Sequence, residues 1–462
     1  MAEKEGVLIE KSFFNFIKEH WLWIVVVILA FFVWKFNLEI GVLALAGTMF
    51  LGWIAWKLWI HYIQQDFISG TDFVLLEIVP PREVLRSPKA MELFFTNALY
   101  HWSMKGGREE YWQGAVWFWF SLEIVSIDGQ VHFYIRTPTR VKGLIETQIY
   151  AQYPQAQVKA VEDYTLAVDE ISPESSWNAW GCEWALEKPQ AFPIKTYVDF
   201  GLDKDPKEEF KVDPISPVIE LFGSLQKGEQ MWMQIVITPS KKTYHLHGTW
   251  FDKHDWVKES NLEMERLLKP YSRIHPPNDN DGISAVQTFV PKQLEKILEG
   301  MTSKITKIGF DTGIRVMYVA KKEKFDMSSR RNIRLIFRQY ANPNSNSLIR
   351  VNSTQADAFS SQFFPLSPRK VMILADRMLH EYRERGFFHL PLRHHLINNH
   401  NVKGLASIIV KQFFLPYFHP PTYVLNVEEL ATLWHFPGQI LKVPTLERIE
   451  SKEASPPTNL PI

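Results

Sequence analysis

Two apolar runs near the amino terminus dominate the hydropathy pattern of the chain. Trp21–Trp34 and Ile40–Trp56 contain no charged residue, and the five residues Lys35–Glu39 separate them. A helix of about 20 mostly apolar residues crosses the hydrocarbon core of a bilayer, and tryptophans favour the headgroup level at its ends. The pattern therefore predicts a transmembrane hairpin over residues 1–66. The alternative, one span followed by a buried core helix, stays open.

Lysines are unevenly distributed around this hairpin. Lys4, Lys11 and Lys18 precede it and Lys57 follows it, whereas Lys35 lies in its turn. Because cytoplasmic loops carry an excess of Lys and Arg, both ends are predicted to face the cytoplasm. The sequence thus predicts an inner-membrane protein with two spans, contacts with membrane lipids, and the bulk of the chain in the cytoplasm.

The next segment, residues 67–170, alternates strand and helix signals. Asp128-Gly129 is a dipeptide typical of two-residue β-hairpins, and Ser87-Pro88 suits the start of a helix. The predicted elements are strands at Phe73–Val79, Ala115–Ser126, Gln130–Thr137 and Gln157–Tyr164, with helices from Ser87 and from Arg140 to Tyr150. This βαββαβ order predicts a ferredoxin-like domain.

Residues 171–355 repeat parts of this pattern. SPVIELF from Ser216 matches SPKAMELF from Ser87, and each stands between predicted strands. We interpret the match as a diverged duplication, against the alternative of two similar helix starts by chance. The second copy comprises predicted strands at Ile194–Phe200, Met231–Thr238, Ile314–Ala320 and Ser347–Ser353, a helix at Ser328–Tyr340, and a helical insertion at about 254–309 with helices Trp256–Leu268 and Ser284–Ile308. The predicted fold class is α+β, with two ferredoxin-like βαββαβ units after the hairpin.

Residues 356–440 are predicted to form a helical segment. An amphipathic helix begins at Ser367-Pro368, runs to about Arg385 and stops near Gly386, since glycine commonly ends helices. A short capped helix is predicted from Asn426 to His435. Residues 441–462 are polar and rich in proline, which is typical of a linker.

Composition adds two limits to this picture. The 462-residue chain has a formal net charge of zero, so no global basic field marks it as a nucleic-acid-binding protein. Its single cysteine, Cys182, excludes an internal disulfide framework and fits a reducing compartment. We interpret Cys182 as a buried apolar residue rather than a nucleophile.

Signatures of nucleotide hydrolysis and of nucleophilic catalysis are weak in this sequence. The nearest match to a phosphate-cradling loop is Gly223–Gly228, but Glu229 stands where that motif requires a cation. The match also follows a predicted helix rather than a strand, so we interpret it as a turn. No nucleophile-elbow motif occurs, and no carboxylates are spaced for acid–base work. We therefore predict no catalytic residue and no cofactor.

Histidines offer one candidate for metal chemistry. Two histidines spaced H-x-H on a strand point to the same face, as in some metal sites. This spacing implies no third ligand, so metal binding is the less favoured alternative and we predict no metal site. The two histidine clusters are His245, His247 and His254, and His394, His395 and His400.

A basic stripe lies in the predicted helix Ser328–Tyr340. It is a possible phosphate-binding surface, either for nucleic acid or for anionic lipid headgroups. A solvated face on a helix packed against the core is the alternative that we favour. The stripe consists of Arg330, Arg331, Arg334 and Arg338, and the opposite apolar face consists of Ile333, Ile336, Phe337 and Tyr340.

Several longer strings carry a family resemblance. They are Phe133–Pro138 (FYIRTP), Leu144–Pro154, Val161–Tyr164, Asn426–Pro437 (NVEELATLWHFP) and Ser455–Pro461. Together they resemble the amino-terminal, membrane-anchored region of coupling ATPases of type IV secretion and conjugation systems, in the form found in small-genome bacteria. The resemblance covers nearly the whole chain, but none of these strings is a catalytic motif.

The resemblance implies a membrane anchor, a cytoplasmic α/β region and a P-loop motor that follows them. The sequence ends at Ile462 before any motor, so we expect either a separate ATPase polypeptide or a fragment of a longer one. The predicted function is a non-enzymatic inner-membrane accessory or anchor subunit of a type IV secretion or conjugation-like DNA or protein translocation system. Leu433, Trp434 and Phe436 are the predicted docking residues for a separate P-loop ATPase.

Two alternatives to this function stay open. The first is a phosphate-binding module at the membrane surface that uses the basic stripe. The second is a membrane-bound hydrolase of unknown class, with His245 and His247 as its candidate site. DNA and a second copy of the chain are further possible partners.

Overall fold

The chain divides into two compact units in the computed structural model. One consists of Met1–Ile68 with Lys105–Val116, and the other of Ser69–Met104 with Trp117–Ile462. The structure describes residues 26, 30–31, 38–81, 84, 86–100, 107–204, 212–240, 244–245, 253–275, 285–288, 290–355, 367–388 and 422–438.

The described residues form a mixture of helices and strands along the chain. The helices are α1 (Leu38–Ser69), α2 (Lys89–Phe94), α3 (Gly107–Trp112), α4 (Lys142–Gln152), α5 (Ser216–Gly223), α6 (Trp256–Leu268), α7 (Lys292–Thr306), α8 (Met327–Ile333), α9 (Pro368–Glu384) and α10 (Val427–Leu433). The strands are β1 (Phe73–Val79), β2 (Phe120–Ile127), β3 (Gln130–Pro138), β4 (Gln157–Val161), β5 (Trp177–Leu186), β6 (Glu229–Pro239), β7 (Tyr244–His245), β8 (Lys253–His254), β9 (Ser272–His275), β10 (Ala285–Thr288), β11 (Gly309–Lys321), β12 (Leu348–Val351) and β13 (Tyr423–Asn426).

Nine of these strands form one antiparallel sheet. Its order is β12-β5-β11-β6-β2-β3-β1-β4, and β13 pairs with the start of β11. The first four strands are ordered β4-β1-β3-β2, and β5, β6, β11 and β12 repeat this relative order as β12-β5-β11-β6. The two sets meet where β2 pairs with β6, from Phe120 opposite Ile237 to Ile127 opposite Gln230.

Alternate side chains of the sheet face two separate cores, because successive strand residues point to opposite faces. On one face, Met231 and Met233 of β6 pack with apolar residues of α2, α4, α5, α8 and α10. On the other face, Trp232 of the same strand packs with Met378 and Tyr382 of α9. The sheet is therefore the middle layer of this unit.

Capping residues define the ends of α9 and α10. The Ser367 side chain accepts a hydrogen bond from the Lys370 amide, with Pro368 in the first turn. Asn426 and Glu429 form a reciprocal capping box at the start of α10. The predicted end of α9 near Arg385 and Gly386 is confirmed, since the helix ends at Glu384 and Arg385 follows it in the left-handed conformation with φ +52°.

The predicted α+β class is confirmed, but the predicted description as two ferredoxin-like units is wrong. The nine-stranded sheet does not have a ferredoxin-like strand order. The physical reason is the β2–β6 pairing, which joins strands from both sides of the predicted boundary near residue 170 into one sheet. A further strand, β13, comes from the segment predicted to be helical.

The sequence pattern missed β5, the second strand from the β12 edge of the sheet, and placed a strand at Ile194–Phe200, where the structure has turns. Glycine weakens a strand signal, yet Gly181 allows close packing here, since a Cβ would lie 2.5 Å from the Met378 sulfur. At the predicted strand, the amides of Ile194 and Tyr197 instead donate to side chains of α10. Tertiary contacts therefore decide both differences.

Helices α1 and α3 belong to the smaller unit. The indole Nε1 of Trp59 donates to the carbonyl of Tyr111 at 3.2 Å, and the Trp59 and Trp112 rings lie 6.1 Å apart. Gly114 follows α3 with φ +65°, and a Cβ there would lie 2.1 Å from the carbonyl oxygen of Ile63. This glycine therefore permits the close approach of the two segments.

The prediction of a transmembrane hairpin and an inner-membrane location is contradicted. Among the described residues, no helix has both the length and the apolar character needed to cross a membrane. The second apolar run lies within α1, which continues past Trp56 through polar residues to Ser69. Nearly all of the first run, Trp21–Trp34, lies outside the described residues, as does the predicted linker 441–462.

Candidate functional site

A polar pocket of about 290 Å³ lies between the end of α5, the start of β6 and helix α8. Its lining combines hydroxyl, amide and charged side chains with a few apolar ones. The polar lining includes Ser224, Gln226, Glu229, Lys324, Ser329 and Asn332. The pocket wall at 224–229 overlaps Gly223–Gly228, the nearest match in the sequence to a phosphate-cradling loop.

The β2–β3 hairpin positions this wall. Its turn residues, Asp128 and Gly129, have φ values of +55° and +84°. Asp128 Oδ1 accepts from the Gly228 amide at 2.7 Å, and the Asp128 amide donates to the Glu229 carbonyl at 3.1 Å. A Cβ on Gly129 would lie 2.5 Å from the carbonyl oxygen of Leu225. The turn predicted at Asp128-Gly129 is therefore confirmed, and it packs against the pocket wall.

Glu229 is the buried carboxylate of the pocket. Tyr318 of β11 donates its hydroxyl to Oε1 at 2.5 Å, and the Gln226 amide donates to Oε2 at 2.9 Å. The Asp326 amide donates to the Tyr318 oxygen at 3.1 Å. Burial and the hydrogen bond to Glu229 raise the pKa of Tyr318 to about 12, so this hydroxyl stays protonated as a donor at neutral pH.

The basic stripe differs from its prediction in shape. Helix α8 ends at Ile333, so Arg334 and Arg338 lie in the turns that follow it. Both are exposed, and the apolar residues predicted opposite them are buried. The side chains of Arg330 and Arg331 lie outside the described part of the structure. Phosphate binding by the four arginines stays a prediction. They do not lie on one continuous helix, which the prediction of a regular stripe had assumed.

The predicted docking residues are core residues in this fold. Leu433, Trp434 and Phe436 are 1%, 0% and 2% exposed. A partner protein can contact only exposed side chains, and these three are buried, so they are not available for docking. The prediction that these large apolar residues dock a partner is therefore wrong. Large apolar side chains are at least as often part of the core.

Trp434 and Phe436 belong to an aromatic cluster with Phe133 and Tyr153. Phe133 contacts Trp434 and Phe436 with ring centroids 5.8 and 5.3 Å apart, and Tyr153 lies 4.9 Å from Phe436. These residues come from β3, from the end of α4 and from the segment after α10. Three of the strings that carry the family resemblance therefore meet at one place in the core.

Charged side chains fix α10 from outside this cluster. Lys304 of α7 forms a fully buried ion pair with Glu429 at 3.0 Å. Lys307 contacts Glu428 at 2.6 Å and Glu92 of α2 at 3.2 Å. These contacts tie α10 to the helical insertion and to α2.

His435 extends these contacts to Asp213. Its Nδ1 lies 2.8 Å from the Ala431 carbonyl and its Nε2 lies 3.0 Å from Asp213 Oδ1. Burial by itself would raise the pKa of Asp213, but His435 and the amides of Ile215 and Gly438 outweigh it, so this pKa is lowered. Asp213 is therefore a carboxylate whose charge the fold stabilises.

The opposite face of the sheet carries a polar row, defined as Glu183, Arg315, Gln234 and Glu123. These residues are direct cross-strand neighbours on β5, β11, β6 and β2. Arg315 Nη2 lies 2.6 Å from Glu183 and 3.1 Å from Glu381 of α9. The row therefore joins α9 to the middle of the sheet through buried charges.

Arg385 joins the end of α9 to the same row. Its Nε lies 2.9 Å from Glu123, and its guanidinium also pairs with Asp163. Burial would lower the pKa of Arg385, but these carboxylates outweigh it and raise the pKa well above the usual value. The Tyr164 hydroxyl donates to Glu123 at 2.8 Å. The left-handed residue at the helix end is thus held by its own side chain.

The candidate metal and nucleophile residues add no site within the described residues. There, no group of three or more His, Cys, Asp or Glu side chains is placed to hold a metal ion. Strands β7 and β8 bring the backbones of His245 and His254 together, whereas His247, His394, His395 and His400 lie outside the described residues. Cys182 is buried on β5, and burial raises the pKa of its thiol.

The pocket and most strands of the sheet lie in a part of the chain that a protein-family model matches. The family described as a domain of unknown function (DUF8128) matches residues 118–400, more than half of the chain. The chain belongs to the DUF8128 family. No curated protein matches it significantly. The DUF8128 match includes β2 to β12, the pocket and α9, whereas β1, α2 and α10 lie outside it.

The pocket was not predicted from the sequence. Its buried residue Glu229 entered the sequence analysis only as the residue that rules out a phosphate-cradling loop. The separation in sequence of Glu229 and Tyr318 hides their contact, since β6 and β11 are joined through the long insertion that contains α6 and α7. A buried carboxylate after a glycine-bounded turn was the one available clue.

Proposed function

We propose that this protein is a non-enzymatic accessory subunit of a type IV secretion or conjugation-like translocation system, and that it binds a separate P-loop ATPase. The proposal rests on the sequence strings that resemble the amino-terminal region of coupling ATPases. It assigns the chain a scaffolding role, in which the exposed surface of the unit built around the nine-stranded sheet contacts the motor.

The observation that carries the proposal is the aromatic cluster. Phe133, Tyr153, Trp434 and Phe436 belong to three strings, two of them neighbours in sequence and the third far along the chain, and their rings are in contact. We take the contact between these strings in one core as support for a shared fold. This supports a common architecture with the coupling proteins, and function is proposed from there by analogy.

The placement of buried charges supports a structural role. Lys304–Glu429 and Arg315–Glu183 each join separate elements of the sheet unit. Perturbed titratable groups mark functional sites in many enzymes, but networks of structural ion pairs perturb them too. Here the perturbed groups Asp213 and Arg385 lie in structural pairs: Asp213 with His435 joins the segments beside α5 and α10, and Arg385 with Glu123 joins the end of α9 to the sheet.

An internal repeat is part of the proposal. Helices α2 and α5 begin with the matching SPKAMELF and SPVIELF strings and pack on the same face of the sheet. The strands around them follow the same relative order. We interpret the two halves as diverged copies that pair through β2 and β6.

Copurification tests the proposed partnership. The intact chain is coexpressed with the P-loop ATPase encoded nearby and isolated by an affinity tag, with an unrelated P-loop ATPase as the control. We expect the nearby ATPase to be retained and the control to be lost. Failure to retain it while the bait remains folded would contradict the proposal, as would ATP turnover by the purified chain alone.

Phosphate binding by the arginines is the second candidate, because Arg334 and Arg338 are both exposed. Affinity for a DNA duplex should then fall with rising salt. Arg334→Gln combined with Arg338→Gln should weaken it, whereas the exposed control Arg266→Gln should not. No binding at low salt would exclude this candidate.

A further inference from the structure

We propose that the pocket between α5 and α8 binds a small organic cation, an amine or guanidinium on a short aliphatic chain, through the carboxylate of Glu229. This site goes beyond the scaffolding role and is independent of it.

Glu229 is the exception among the buried glutamates of the described residues. The other five each have a cationic partner. These pairs are Glu123 with Arg385, Glu183 with Arg315, Glu381 with Arg315 and Arg377, Glu428 with Lys307, and Glu429 with Lys304. Glu229 is 7% exposed, and in this part of the chain no Lys, Arg or His nitrogen lies within ion-pair distance of it.

A buried carboxylate without a cation is costly, because its charge is removed from water without compensation. The hydrogen bonds from Tyr318 and Gln226 hold the Glu229 carboxylate in place. Each of its oxygens has more than one acceptor site, so both can accept further donors. Since Glu229 lines the pocket, a ligand there can supply a positive charge that none of the described side chains supplies.

The rest of the lining defines the chemical class of this ligand. The hydroxyls of Ser224 and Ser329 and the amide of Asn332 can accept N–H groups, and Leu221 and Met231 can contact methylene groups. The volume of about 290 Å³ is just below the usual range for small-molecule sites, which suits a small ligand. Lys324 and Asp326 belong to the exposed part of the lining, and Lys324 makes no ion pair with Glu229, so it leaves the inner carboxylate available.

Titration calorimetry on the intact chain tests the site, with agmatine and putrescine as probes and inorganic phosphate as the anionic control. We expect saturable binding of one equivalent of at least one of the two amines, and no competition by phosphate. Glu229→Gln should weaken that binding at least about tenfold, because a charged hydrogen bond is lost. The matched control is Glu220→Gln, an exposed carboxylate on α5 outside the pocket, which should leave the affinity unchanged.

A second variant tests the site even if Glu229→Gln fails to fold. Ser224 is an exposed lining residue, so Ser224→Trp should fill the pocket and abolish amine binding while the urea midpoint of unfolding stays unchanged. The proposal is overturned if neither amine binds the folded chain at about 10 mM. It is also overturned if Glu229→Gln binds as well as the wild type, or if phosphate displaces the amine. Retention of an ATPase partner is a separate readout and does not bear on these outcomes.

Discussion

Helices α9 and α10 pack on opposite faces of the same sheet and are held in different ways. Helix α10 is buried in every residue, and the side chains around it are mainly apolar and aromatic. Helix α9 is buried along one side, and it contacts the polar row through Glu381 and through Arg385 at its end. Both helices bury apolar side chains, but the buried ion pair of α10 joins it to another helix, Lys304 with Glu429, whereas the ion pairs of α9 join it to charged residues in the sheet itself.

This difference has an energetic consequence. Apolar packing loses stability in proportion to the atoms removed and the cavity left behind. A buried ion pair contributes little over an apolar replacement, yet breaking one partner is expensive. Removing an aromatic side chain beside α10 should therefore cause a loss that no second substitution offsets, whereas a loss from breaking an ion pair of α9 should be partly recovered when its partner is also replaced.

Trp434→Ala is expected to have the largest effect of the substitutions considered. It removes the centre of the aromatic cluster, where the Trp434 ring contacts Phe95, Phe133 and Phe436. The free energy of unfolding should fall by about 4 kcal/mol, measured by urea denaturation. Leu93→Ala, at a side chain 48% exposed on α2, is the control and should change it by less than about 1 kcal/mol. Equal losses in the two variants would refute the central position of the cluster.

Arg315→Met should destabilise the fold by about 3 kcal/mol, because Glu183 and Glu381 then lose their buried cation. The same urea experiment measures this loss. Combining it with Glu183→Leu should recover part of this loss, since Glu183 is then no longer a buried charge without a cation, and Glu381 keeps Arg377 as its cation. A double variant less stable than Arg315→Met would show that the Glu183–Arg315 pair contributes more than apolar packing can replace.

Asn426→Ala should cost about 1 kcal/mol, because it removes the side chain that caps the Glu429 amide. Asn426→Ser retains a capping acceptor and is the matched control. Both are compared by thermal unfolding, where the alanine variant should have the lower midpoint. A loss close to that of Trp434→Ala would mean that capping, rather than apolar packing, holds α10.

The smallest effect concerns the dependence of stability on pH. The pKa of Asp213 is lowered, so its contribution is present above its unfolded value of about 3.9 and is lost as the pH falls through the folded pKa. Burial raises the pKa of Glu381 in spite of Arg315, so its contribution is present below about 4.3 and is lost as the pH rises through the folded pKa.

Two substitutions separate these opposite contributions. On acidification from about pH 7 to 3, Asp213→Asn should lose less stability than the wild type, because it lacks the charge that acid removes. Glu381→Gln should lose more, because it lacks the protonation that favours the folded state. Urea unfolding at several pH values measures both, and identical slopes for the two variants would contradict the assigned directions.

Local patterns predicted the regular elements well. Strand β1 and helix α6 have the bounds that their sequence pattern indicates, and the β2–β3 turn lies at Asp128-Gly129. Strand β5 was missed because glycine is unfavourable in a strand. The reason for Gly181, its close contact with Met378, involves a residue far away in sequence and is not visible in the local pattern. The pairing of β2 with β6 was likewise out of reach, since it joins two predicted domains.

The candidate site was less predictable than the fold. Bulky residues such as Trp434 give the same sequence signal whether they bind a partner or fill a core. Arg334 and Arg338 follow helical spacing, but the helix ends at Ile333. Glu229 and Tyr318 are brought together only by the β6–β11 pairing. Each of these outcomes depends on contacts between residues far apart in the chain.

The hydrogen bonds between β2 and β6 also bear on how this protein can be divided for experiments. A fragment of residues 69–170 would retain four strands but leave the backbone of β2 uncovered along its whole length. Exposed strand edges of this kind recruit other chains and promote aggregation. Expression trials should therefore keep both halves of the sheet on one polypeptide.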